Sequence, residues 1–249
     1  MKVASGWQPS PDVLHSVAMT EARQYPQHRF ARPEGSTELL LVRHGQSAPL
    51  VDGEPFPMRD GQGDPPLSAL GQEQAVKVAE RLAAEPISAI YVTSMVRTHQ
   101  TASPLASELG LQPIELHDLR EVHLGEWEAG LLRRKAAELD PIYMRMNAEE
   151  RWDIIPGAEP SEQFQGRVVG AVEQIAAAHE GEQVVAFVHG GVIGAVLAHA
   201  AGARFFAFGG ADNGSISQLV VTPERWVVRR FNDSSHLTDV LSTAPDSMT

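Results

Sequence analysis

The chain has 249 residues, 43% of them hydrophobic and 21% charged, which is ordinary globular composition with length enough for a sizeable core. A formal net charge of -12 argues against a general nucleic-acid or anionic-membrane surface, because both need a basic face. The absence of cysteine rules out a disulfide framework, a thiolate nucleophile and a Cys-ligated metal, and it fits the cytoplasm.

Residues 1–35 read as an N-terminal extension, since Pro9, Pro11, Pro26 and Pro33 interrupt any long element. The opening "MKVASGWQPSPDVLHSVAMT" lacks the apolar run of a signal peptide, and no window reaches the length of a membrane-spanning helix. A single domain is expected over 36–240, followed by a flexible tail at 241–249. "ELLLV" (38–42) is a short, wholly apolar run of the kind found in a strand buried on both faces. The spacing of Val76, Ala79, Leu82 and Ala83 predicts a helix over 67–85, with Ser68 as its N-cap.

"ISAIYVTS" (87–94) reads as a second strand, and the helix after it is closed by Gly110. "QPIEL" (112–116) is a short third strand. The charge-rich segment after Gly130 is helical but broken at Pro141, and its "LLRRKAAE" reads first as a solvated helix face, with a lid over substrate as the sharper alternative. Residues 161–180 form a helix capped by Ser161, with Phe164, Val168, Val172 and Ile175 on one face. "QVVAFV" (183–188) repeats the logic of the first strand, and a largely apolar helix follows it. "GGADNG" (209–214) is a turn, and two strands joined by "TPE" close the pattern.

Strands alternating with helices predict an α/β three-layer sandwich with a mostly parallel central sheet flanked by helices. Ligands in such sheets bind at the carboxyl ends of the strands. There the sequence places Arg43 and His44, then Arg97, then Glu121, then His189. Guanidinium forks match phosphate oxygens, and imidazole can act as a nucleophile toward phosphorus. Arg43, Arg97 and a protonated His189 could stabilise a transferring phosphoryl group, while Glu121 supplies the leaving oxygen with a proton. Among the remaining histidines a solvated or packed role is the default, with His99, two residues after Arg97, the one expected nearest the pocket. No metal-ligand spacing stands out, and neither metal nor cofactor is expected.

Five ordered blocks, "LVRHGQS", "DPPLSALGQEQA", "VTSMVRTHQTA", "LREVHLGEWEAG" and "FVHGG", resemble the histidine phosphatase superfamily, the phosphoglycerate mutase-like proteins. The resemblance implies that His44 is the phosphorylated nucleophile. It implies that Arg43 and Arg97 bind the phosphoryl group, that His189 hydrogen-bonds it, and that Glu121 is the acid/base. Gln46 and Ser47 fall where the family places phosphate-pocket residues, and Gly190 would offer its backbone N–H. Many members follow the Arg-His-Gly motif with a phosphate-binding Asn, where this chain has Ala48, Pro49 and Leu50 and then the long loop "VDGEPFPMRDGQGD".

The resulting expectation is a metal-independent phosphomonoester hydrolase acting on a small phosphorylated metabolite through phospho-His44. "EVHLGEWEAG" looks more like the phosphatase branch than the mutase form. The alternatives are a phosphoglycerate-type mutase and a non-catalytic phosphoryl-ligand binding protein. The family often dimerises, so a homodimer is an open expectation, although no interface signature stands out.

Overall fold

The computed structural model describes residues 24–237. Most of the expected extension over 1–35, and all of the tail at 241–249, lie outside the described residues. The chain divides into two compact units, Met1–Ala31 and Arg32–Thr249. The described part of the first, residues 24–31, has no regular secondary structure.

A six-stranded sheet forms its centre. The strands are β1 (Thr37–Arg43), β4 (Ile87–Val92), β5 (Ile114–Glu115), β6 (Gln183–Val188), β7 (Ile216–Val221) and β8 (Trp226–Asp233), in the order β5-β4-β6-β1-β7-β8. The first four run parallel, and β7 and β8 add an antiparallel ladder at one side. Two-residue strands β2 (Met58–Arg59) and β3 (Gln62–Gly63) pair in a small separate hairpin.

The apolar runs are continuous because both faces of the sheet are covered. Successive side chains of β1 alternate: Leu39 and Leu41 pack with Val184, Ala186 and Val188 on one face, and Leu40 and Val42 pack with Val185 and Phe187 on the other. The first face is covered by α5 (Ser161–Ala178) and α6 (Gly190–Ala201), through Phe164, Val168, Val172 and Val196. The second is covered by α1 (Ala69–Leu82) and α2 (Val96–Leu109), through Val78, Leu82, Ala102 and Leu105. This is the expected three-layer sandwich. Truncating a fully buried ring such as Phe187 to alanine costs about 3–5 kcal/mol in such a setting.

Two local expectations fail for physical reasons. Val76 is 48% exposed: Ala79 and Leu82 of the expected spacing lie on the buried face of α1, but Gly71, Ala75 and Val78 complete it in place of Val76. Ser161 does not cap α5: Pro160 occupies that position, and the Ser161 hydroxyl accepts from the backbone N–H of Trp152 at 2.9 Å. Ser68 does cap α1, accepting from Gly71 N, and Gly110 closes α2 in the left-handed conformation.

Between β5 and α5 the chain builds a cap of its own. Helices α3 (Leu131–Ala137) and α4 (Pro141–Glu149), with Pro141 in the first turn where its missing N–H costs nothing, enclose a small core of Trp127, Met146 and Ile155. This cap stands over the carboxyl edge of the sheet. Among the described residues no helix is long and apolar enough to cross a membrane.

Candidate active site

His44 sits where β1 leaves the sheet, and its backbone is held on both sides: its N–H donates to Val188 O at 2.9 Å, and the Asn213 side-chain amide donates to its carbonyl at 2.9 Å. The next residue is glycine because space demands it. A Cβ on Gly45 would lie 2.4 Å from Gly71 O, so the first turn of α1 backs directly onto the loop that carries His44.

The His44 ring has one possible proton arrangement. Nδ1 lies 2.7 Å from Gly45 O, a carbonyl that can only accept, so Nδ1 carries the hydrogen. Nε2 lies 3.3 Å from Nε of Arg97, which can only donate, so Nε2 presents a lone pair. Burial, then the charges of Arg97 and Arg43, hold the His44 pKa well below the usual imidazole value. The ring is neutral and nucleophilic at Nε2.

Arg97 bridges the two imidazoles. Nη2 reaches Nδ1 of His189 at 3.3 Å, and Nη1 reaches Gly63 O at 3.1 Å and Asp64 Oδ1 at 3.4 Å. By the same donor logic His189 Nδ1 accepts, leaving its proton on Nε2, 3.1 Å from the Thr93 hydroxyl. Burial, then the Arg97 charge, push the His189 pKa well below its ordinary value, which favours a neutral ring in the free site. The two rings stand edge to face with centroids 5.3 Å apart.

Arg43 donates to Ala211 O, and its buried Nε has no partner among the described residues. Glu121 arrives from the loop after β5. Its two oxygens accept from Val122 N at 3.0 Å and from Gly191 N, in the first turn of α6, at 3.0 Å. These bonds and the two arginines favour the carboxylate, yet desolvation outweighs them and the Glu121 pKa is raised. That is the setting of a carboxyl group that can hold and release a proton.

A cavity of about 310 Å³ is lined by Arg43, His44, Gln46, Ser47, Arg97 and Glu121 among others. His189 lies behind it through Arg97. Gly190 is displaced from it: it lies against the Arg43 side chain and lines a neighbouring chamber. Gln46 lines the cavity, and its side-chain oxygen accepts from Ser68. His99, expected near the pocket, faces away and pairs with Glu115 at 3.5 Å, because two helical residues past Arg97 point to the far side of α2. Among the described residues no cluster of His, Asp and Glu could hold a metal ion.

Residues 39–234 match the model of the histidine phosphatase superfamily (branch 1). The chain belongs to the histidine phosphatase superfamily. It is 33% identical over 82% of its length to an Arabidopsis thaliana protein named metal-independent phosphoserine phosphatase, covering 84% of that protein. It is 30% identical over 80% of its length to phosphoserine phosphatase 1 of Hydrogenobacter thermophilus, covering 94% of it. The structure of mycobacterial glucosyl-3-phosphoglycerate phosphatase superposes with a TM-score of 0.67 at 28% identity, over 80% of this chain and all of that one. The chain is accordingly a phosphatase of this superfamily.

This histidine phosphatase carries site residues that the sequence alone did not single out. Arg133, in the segment first read as a solvated face, donates to Ser47 Oγ at 2.7 Å and Ala48 O at 2.8 Å and lies over the Phe56 ring, 4.7 Å from its centroid. Burial, then Arg97 and Arg43, lower its pKa to about 10, so it remains a cation at neutral pH. It touches the segment where the expected asparagine is missing. Arg167 on α5 grips Glu159 with Nε and Nη2 and donates to the carbonyls of Asp118, Arg120 and Glu121, fixing the loop that presents Glu121. "GGADNG", a plain turn by its sequence, supplies Ala211 O to Arg43 and the Asn213 amide to the His44 carbonyl. Only Arg133 carried a sequence signal, the paired arginines after Gly130.

Proposed function

We propose that the chain hydrolyses phosphomonoesters of small metabolites through a phosphohistidine formed on Nε2 of His44, with its own side chains and without a metal. The observation that carries this reading is the Nε2 lone pair of His44, fixed by Gly45 O behind it and flanked by guanidinium groups in front. In the first step Nε2 attacks phosphorus, the bond to the leaving oxygen breaks, and Glu121 gives that oxygen its proton. In the second, water attacks the phosphohistidine, Glu121 takes the proton back, and inorganic phosphate leaves with Nε2 restored. Arg43 and Arg97 stabilise the equatorial oxygens, and Arg133 stands where it replaces the absent asparagine. A dianion arriving between these groups favours protonation of His189, which turns Nδ1 into a further donor.

The phosphoserine and glucosyl-3-phosphoglycerate in the names of relatives support a small phosphorylated metabolite as substrate. The cysteine-free composition supports a cytoplasmic setting for the reaction. The test is hydrolysis of p-nitrophenyl phosphate with EDTA present, comparing the wild type with His44→Ala. The wild type turns over and the variant loses at least a thousandfold in kcat. Equal rates in both would remove His44 from the chemistry.

A further inference from the structure

Next to the phosphoryl cavity lies a second chamber of about 260 Å³ that shares Arg43, Glu121, Leu132 and Arg133 with it. Glu121 lies on the shared wall. If Glu121 protonates the leaving oxygen, as in the function proposed above, the alcohol that departs lies on this side. What remains of the chamber is not built for a small polar alcohol. One wall consists of Tyr143, Met146, Trp152, Phe205 and Phe206, with Trp152 and Phe206 at a centroid distance of 5.1 Å. Gly190, Gly191, Gly194, Gly209 and Gly210 also line the chamber and add backbone but no side chain.

Two of those glycines are set by close packing at the chamber's edge. A Cβ on Gly191 would sit 2.3 Å from Glu121 Oε1, and one on Gly194 would sit 3.2 Å from Phe208 O. A chamber lined by several rings and by side-chain-free backbone is suited to an apolar, ring-sized group. The indole nitrogen of Trp152 is also buried without a hydrogen-bond partner among the described residues, a donor that the protein leaves unused.

We infer that this chamber is the leaving-group site, and that the enzyme prefers phosphomonoesters whose alcohol carries a ring-sized apolar body over esters of short polar alcohols. The inference rests on the phosphatase reading and adds the class of substrate to it. Burial of a phenyl group in such a chamber raises kcat/KM about ten- to a hundredfold when the gain is kept in the transition state.

The test compares 2-phenylethyl phosphate with ethyl phosphate, whose oxygens leave with similar intrinsic ease. The wild type should favour the phenylethyl ester at least tenfold in kcat/KM. Ala136→Trp, a substitution that fills the chamber from the cap, should lower that ratio at least fivefold. A wild-type ratio near one, or an Ala136→Trp enzyme that turns over with the ratio unaltered, overturns the inference while the phosphatase reading stands. Failure of the wild type to hydrolyse either ester overturns the phosphatase reading itself. Because the wild-type ratio is measured without any variant, the inference is exposed even where Ala136→Trp does not fold.

Discussion

Two imidazoles and one carboxyl group divide the work by environment. Burial, then the Arg97 charge that meets a lone pair on each ring, lowers the pKa of both imidazoles, while burial raises that of Glu121. On the proposed mechanism, the acid Glu121 and the nucleophile His44 are therefore both in their working forms within one cavity. Glu121→Gln keeps one acceptor oxygen for the backbone N–H groups of Val122 and Gly191 and removes the transferable proton. Its kcat should fall about 10²–10⁴-fold on an alkyl phosphate, and by much less on p-nitrophenyl phosphate, whose oxygen leaves without help. Parallel losses on both esters would assign Glu121 a binding role.

The pH response follows from the same residues. A histidine with a depressed folded pKa leaves stability intact above the unfolded value of about 6.5. Stability is lost as pH falls below that value, because the unfolded chain takes up protons that the native ring refuses. His44 and His189 both have this sign. Denaturant unfolding at pH 8, 6 and 5 should show a steeper loss below pH 6.5 in the wild type than in His189→Gln. A wild type no steeper than the variant would mean that His189 is not buried neutral.

At the scale of elements, the site depends on a backbone contact that no side chain mediates. A Cβ on Gly71 would stand 2.0 Å from Gln46 O, just as one on Gly45 would meet Gly71 O, so α1 presses against the loop holding His44, Gln46 and Ser47. Gly71→Ala must push that loop aside. It should cost about 2 kcal/mol or more in unfolding free energy and reduce kcat although no reacting group is changed. Unchanged stability and kcat would show that the contact yields freely.

This contact also marks the limit of what the sequence discloses. Arg43, His44, Arg97, Glu121 and His189 are legible because each follows a strand or lies in a compact motif, and a parallel sheet gathers strand ends at one edge. Asp64, Thr93 and Arg167 are illegible because they act on other site residues across 33 to 96 positions, through contacts that only the folded chain creates. Arg133 lies between. The paired arginines are visible, but α3 decides that one reaches Ser47 while Arg134 stays on the surface with Asp52.

For the molecule as a whole, a chain of net charge -12 concentrates three arginines at one opening of its sheet. That local reversal of sign can attract a phosphorylated anion to an otherwise acidic surface. The sandwich supplies rigidity beneath the opening, and the cap of α3 and α4 adds Arg133 to the phosphoryl cavity and residues Tyr143 and Met146 to the neighbouring chamber. The central claim is that phosphorus passes through Nε2 of His44. The most direct measurement is rapid quench of the wild type with a ³²P-labelled ester into alkali, followed by peptide mapping. The account predicts label on the peptide containing His44, appearing and decaying at rates that match turnover, and none in His44→Ala. Steady hydrolysis with no labelled His44 at any quench time would contradict it.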